Sequence, residues 1–138
     1  MHLTITALTA ASLAILLVML ALNTIRLRLK YSAAFGDGGH QDLVSSIRAH
    51  GNLSEYMPIG ITLTGLLEAS GVNVMALAGL AAGFVGCRLL NAIGLFNPPG
   101  PPGPARSIGI VGTLLILLGM AVWLLVTVVG PVSVTLAR

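Results

Sequence analysis

Charge is what this sequence lacks. Among its 138 residues there are 7 Lys and Arg and 4 Asp and Glu, or 8%, against about 25% in an ordinary soluble domain. That scarcity excludes a soluble enzyme, a disordered chain and a nucleic-acid-binding module. The charges are also unevenly placed: no Asp, Glu, Lys or Arg occurs in 1–25, 69–87, 89–105 or 107–137. Cysteine is nearly absent too. Cys87 stands alone inside an apolar run, so no internal disulfide is possible, and it reads as a packing residue. His2, His40 and His50 lack metal-ligand spacing, and no metal is expected.

What is there is apolar. Hydrophobic residues make up 56% of the chain, and the mean hydropathy is +0.98. A helix needs roughly 20 apolar residues to cross about 30 Å of hydrocarbon. The length therefore accommodates four transmembrane helices and short loops in one domain covering 1–138. The expected class is an all-α integral membrane protein, a four-transmembrane-helix bundle. Met1-His2-Leu3 lacks the basic start of a cleaved signal peptide, and the basic cluster follows the apolar stretch, so the first helix reads as uncleaved.

Helix I is expected over about 3–27, ending in the basic Arg26, Arg28 and Lys30, with a turn at Gly36-Asp37-Gly38-Gly39 after it. The Gly-Lys-Ser/Thr of a phosphate-binding loop does not follow that turn. Helix II is expected over about 42–70, with Asp42 as its N-cap and Pro58 as a kink. Helix III should cover about 73–96. Asn97 to Pro104 reads as a stiff polyproline-like connector, and helix IV should run over about 107–129, stopped by Gly130-Pro131. Gly79, Gly83 and Gly86, with Gly109, Gly112 and Gly119, are small residues of the kind that let membrane helices approach closely.

Loops I–II and III–IV share one side of the membrane and hold Arg26, Arg28, Lys30, Arg48 and Arg106, while the other side holds Arg138. The positive-inside rule then makes both basic loops cytoplasmic and puts both termini outside.

Charged groups inside the apolar zone cost roughly 2.5–3.5 kcal/mol each on insertion scales and are functional candidates by default. Relative to Arg48, Asn52 and Glu55 fall at roughly +40° and −20° around a helix, one narrow stripe with Tyr56 on its edge. Glu55 lies about 15 Å and Arg88 about 12 Å below the same membrane face by helix rise. Together with Arg26 and Arg106 they outline a net-basic pocket suited to a small anionic ligand. A direct or ligand-bridged contact between Glu55 and Arg88 follows from their shared depth. The plainer alternative is that the Arg–Glu pair sets helix register while the basic residues anchor topology.

The segment Ile47-Arg48-Ala49-His50-Gly51-Asn52-Leu53-Ser54-Glu55-Tyr56-Met57-Pro58 resembles the helix II signature of the MAPEG family, membrane-associated proteins in eicosanoid and glutathione metabolism. Gly36-Asp37-Gly38-Gly39 and Arg88-Leu89-Leu90-Asn91-Ala92-Ile93-Gly94-Leu95 are similar to the bacterial branch, and length and helix order agree. The resemblance implies a homotrimer in the bacterial inner membrane, with glutathione as co-substrate bound between subunits. By motif, Arg48, Asn52, Glu55 and Tyr56 would hold glutathione. His50 matches a position that is Gln in a relative, and Arg88 belongs to the same pocket. Arg26 and Arg106 match arginines of helix I and the start of helix IV, and one of them would activate the thiol. Glutathione-using eukaryotic members carry tyrosines where this chain has Asn91 and Leu95. The implied activity is a glutathione-dependent transferase or peroxidase acting on a lipophilic electrophile that arrives from lipid. The alternatives are a non-enzymatic lipid-binding or scaffolding relative and a small proton-coupled exporter using Glu55.

Overall fold

A computed structural model describes residues 2–95 and 103–136, all-helical apart from short connections. The order is α1 (Thr4–Tyr31), α2 (Gln41–Ala69), α3 (Val74–Leu95) and α4 (Pro104–Leu136). Among the described residues, α1, α3 and α4 are long and apolar enough to cross a membrane. The 29-residue α2 is as long as its neighbours, but Arg48, His50, Asn52 and Glu55 make its first half polar.

Helices α2 and α3 form the middle of the bundle. Each packs against both α1 and α4, whereas the α1 and α4 backbones nowhere come within 8 Å of one another among the described residues. Two clusters fill the interior. Leu13, Leu20, Ala49, Leu53, Phe84 and Ala92 form one, and Leu63, Leu67, Leu77 and Met120 form the other. The Phe84 ring lies directly on Gly60, where any side chain would collide with it.

The α3–α4 seam is the tightest. A Cβ on Gly109 would come within 2.6 Å of the Asn91 amide nitrogen and 2.8 Å of the Cys87 carbonyl oxygen, and one on Gly112 within 2.6 Å of Cys87 Sγ. Cys87 therefore packs into a hollow made by glycine. Gly94 meets the backbone of Arg106 in the same way, while Gly79, Gly86 and Gly119 border open space.

Several boundaries depart from expectation. Asp42 is not the N-cap of α2. His40 occupies that position with extended backbone (φ −95°, ψ 114°), and the Asp42 carboxylate accepts from the Tyr31 hydroxyl at 2.6 Å and the Leu43 amide at 2.9 Å instead. Gly36, Gly38 and Gly39 do make the turn before it, all at positive φ. Arg28 pins that connection, its Nη1 lying 3.1–3.2 Å from the carbonyls of Ala33, Ala34 and Gly36. Helix α4 begins at Pro104 and continues through Gly130-Pro131 to Leu136. Proline is well placed in a first helical turn, where its missing N–H has no intrahelical partner to lose. Inside membrane helices local adjustment re-satisfies the carbonyl that proline frees, so Gly130-Pro131 does not act as a stop. The expected end of helix III at Phe96, the polyproline-like reading of 97–102 and the place of Arg138 fall outside the described residues.

Candidate functional site

The polar stripe of α2 lines one wall of a cleft of about 370 Å³ between α2 and α4, with α3 as its floor. Arg48, Asn52 and Glu55 come from α2, Asn91 and Leu95 from α3, and Arg106 from the start of α4. Three helices thus bring together five polar side chains that are far apart in the chain. The close approach of Gly94 to the Arg106 backbone is what holds the start of α4 beside the end of α3.

Beneath this cleft lies Arg88, 2% exposed. Its Nε donates to Thr113 Oγ1 at 2.9 Å, Nη1 to Asn52 Oδ1 at 2.8 Å, and Nη2 to the Gly109 carbonyl at 3.1 Å and to Thr113 Oγ1. The guanidinium also sits 4.8 Å from the centroid of the Tyr56 ring, within the range of a cation–π contact. Every one of these partners is neutral. A buried cation is tolerable only when its donors are satisfied, and here a hydroxyl, an amide, a backbone carbonyl and an aromatic face share that task.

Glu55 is not among them. It is exposed in the cleft wall, and the only ion pair among the described residues is Lys30–Asp42 at 4.0 Å. The expected direct contact between Glu55 and Arg88 is therefore absent. The guanidinium turns toward α4 and toward Asn52, nearly one helical turn before Glu55, and leaves the carboxylate facing open space.

Asn91 carries the opposite anomaly. It is 2% exposed, it lines the cleft, and its Nδ2 is buried without a hydrogen-bond partner. Most buried polar atoms are paired, and each exception calls for an explanation. In the sequence this position reads as the absence of a family tyrosine within the Arg88–Leu95 stretch. The signal was an amide one turn after Arg88 inside a run free of charge.

The remaining expected residues are dispersed. Tyr56 underlies Arg88 and does not line the cleft. His50, half-buried, is also outside its lining. Arg26 borders a different groove, between α1 and α3. Within one subunit the cleft therefore contains Arg106 but not Arg26.

The chemistry of the cleft is lopsided. Asn52 Oδ1 already accepts from Arg88, so the Asn52 Nδ2 is the end left free. Two guanidinium groups and the Asn52 N–H₂ then line the cleft with a single carboxylate acceptor, Glu55, and the buried Asn91 Nδ2 lies just behind that lining. That set suits a small anion bearing several acceptor oxygens and one cationic amine.

An all-helical membrane protein with a basic, donor-rich cleft at one end of its bundle is the class these observations define. The MAPEG family model matches residues 6–126, and the chain belongs to that family. It is similar to the inner membrane protein YecN of Escherichia coli strain K12, with 44% identity over 69 residues, 50% of this chain and 53% of that protein. YecN from Escherichia coli O6:H1 matches to the same extent. The matched stretch thus spans about half the length of these curated relatives.

Proposed function

We propose that this chain is a glutathione-dependent membrane enzyme, a transferase or peroxidase acting on a lipophilic electrophile. The observation that supports it best is the donor set of the α2–α4 cleft, with the buried and unpartnered Asn91 Nδ2 at its floor. Glutathione offers two carboxylates and a peptide backbone to those donors, and a cationic amine to Glu55.

Arg48 and the two amides position the tripeptide. Arg106 is the cation nearest in character to what a thiol needs. A free thiol has a pKa of about 8.5, and an adjacent guanidinium lowers it by stabilising the thiolate. In the transferase reaction the thiol proton passes to solvent and the sulfur lone pair forms a bond to an electrophilic carbon, which expels its leaving group. The electrophile arrives from the bilayer.

In this reading α2 is the fourth span. The basic connections face the cytoplasm by the positive-inside rule, both termini lie outside, and the chain resides in the bacterial inner membrane. Three copies assemble so that a neighbour covers the open side of each cleft.

Titration of the detergent-solubilised protein with glutathione, followed by turnover of a chlorodinitrobenzene or of cumene hydroperoxide, tests the proposal. Saturable binding with turnover of either substrate is expected. Failure to bind glutathione overturns the reading. Binding without turnover of either favours the non-enzymatic lipid-binding alternative, for which the apolar Leu95 in the cleft lining is the supporting feature.

A further inference from the structure

We infer that the connection between α1 and α2 is an interfacial anchor, which seats the Phe35 ring at the boundary between headgroups and acyl chains of the surrounding bilayer. Phe35 is 93% exposed, the most exposed large apolar side chain among the described residues. The exposed Leu and Val side chains of α1 and α4 belong to the spans themselves. Phe35 belongs to a loop, where such a ring has no helix face to account for it.

The loop holds the ring out. Ser32 takes the left-handed conformation (φ 52°) that turns the chain at the end of α1, and the Ala33 amide donates back to the Arg28 carbonyl at 3.0 Å. Arg28 then fills the middle of the loop. Its Nη1 meets the carbonyls of Ala33 and Ala34 before Phe35 and of Gly36 after it. Asp37 Oδ1 accepts from the Gly39 amide at 2.9 Å, and the Tyr31 and His40 rings stack at 3.7 Å to close the base. The carbonyls on both sides of Phe35 thus point inward to a cation, and the ring is left outside.

Depth identifies what lies outside. The 28 residues of α1 make a helix of about 42 Å, against about 30 Å of hydrocarbon and about 40–45 Å with the headgroup layers included. Its last turn therefore ends among headgroups. The loop extends no further from that turn than one arginine side chain reaches, because Arg28 belongs to the turn and touches the loop carbonyls. An apolar aromatic ring at this level lies where amphipathic segments bury their Phe and Leu side chains. Arg28 and Lys30, the basic residues of the same turn, stand where anionic headgroups attract cations. A protein partner would have to reach the ring through that layer, whereas lipid is already there.

The test uses the full chain in vesicles of phosphatidylglycerol and phosphatidylcholine that carry bromine either near the head or near the methyl end of the acyl chains. Trp123 is the single tryptophan, so Trp123→Phe combined with Phe35→Trp leaves one reporting indole. Where Trp123→Phe impairs folding, Phe35→Trp alone gives the same quantity by difference from the parent. Its emission should be quenched about twofold more by bromine near the head than by bromine near the methyl end, as for an aromatic ring held at the interface. Iodide in the water should have little effect. Adding Arg28→Gln unpins the loop and should exchange the two behaviours, with bromine quenching lost and iodide quenching gained. Quenching of Phe35→Trp by iodide and not by bromine puts the ring in water and overturns the anchor. Emission shielded from both quenchers means that protein covers the ring and overturns it equally. An Arg28→Gln variant that quenches like its parent removes Arg28 as the device that holds the ring out.

Discussion

The Arg88 guanidinium donates to Asn52 Oδ1 at 2.8 Å, and that bond decides which end of the Asn52 amide faces the cleft. With the oxygen turned inward, the N–H₂ is presented to whatever binds. Arg88 therefore acts on the site through Asn52, as a strut anchored on Thr113 and the Gly109 carbonyl. The carboxamide is a donor because a buried cation lies behind it.

Asn52→Asp separates the two halves of this relationship. The carboxylate keeps an acceptor for Arg88 and supplies its missing counter-ion, and hydrogen bonds to charged groups are worth about 1.5–3 kcal/mol. Thermal unfolding in detergent should show no loss of stability. Glutathione affinity should fall at least tenfold, since a donor has become an anion facing the ligand's own carboxylate. Retained affinity would show that Asn52 serves Arg88 alone.

Gly109→Ala probes the seam that sets the cleft width. Its Cβ would stand 2.6 Å from the Asn91 backbone nitrogen and 2.8 Å from the Cys87 carbonyl, and neither atom can rotate away. Overpacking of this kind costs roughly 1–3 kcal/mol. Gly119→Ala, where nothing lies within 4 Å, should be neutral or gain about 0.5–1 kcal/mol from helix propensity. Equal melting temperatures for the two variants would mean that α3 and α4 are not held at this distance.

How much of this was legible beforehand depended on how local the geometry was. The stripe of Arg48, Asn52 and Glu55 follows from helical rise and rotation alone, and the three side chains line one wall of the cleft. That Arg88 lies well inside α3 was legible for the same reason. Its partners were not. Thr113 and the Gly109 carbonyl belong to an apolar run and carry no charge to announce themselves, so Glu55 stood out as the counter-ion although it faces the other way. Arg26 and Arg106 share one end of the bundle in sequence terms. Which groove each enters depends on how α1 and α4 are rotated about their own axes, and on the separation of their backbones. Helix spacing contains neither quantity.

Arg106→Leu tests the thiol chemistry through its pH dependence. If the guanidinium stabilises the bound thiolate, the parent's thiol has a lowered pKa, and kcat/KM for the electrophile at saturating glutathione rises with pH and levels off below about 8.5. Without the cation the rising limb should move to higher pH, while the rate at high pH, where the thiol ionises unaided, should approach that of the parent. A loss that is uniform across pH would make Arg106 a binding group only.

Asn91→Leu gives the sharpest contrast between stability and binding. Asn91 Nδ2 is buried with no partner, and an unsatisfied buried donor costs about 1–3 kcal/mol. Replacing the amide with an apolar side chain of similar size removes that penalty, so the ligand-free protein should unfold at a higher temperature. If the amide is there to meet a ligand acceptor, the same change should weaken glutathione binding about tenfold or more and shrink the thermal protection that glutathione confers. The two effects have opposite signs, which a purely structural role for Asn91 does not produce. Thermal melts with and without glutathione read both at once. A variant that is stabilised while its affinity is unchanged would remove Asn91 from the site, and with it the observation on which the glutathione reading chiefly rests.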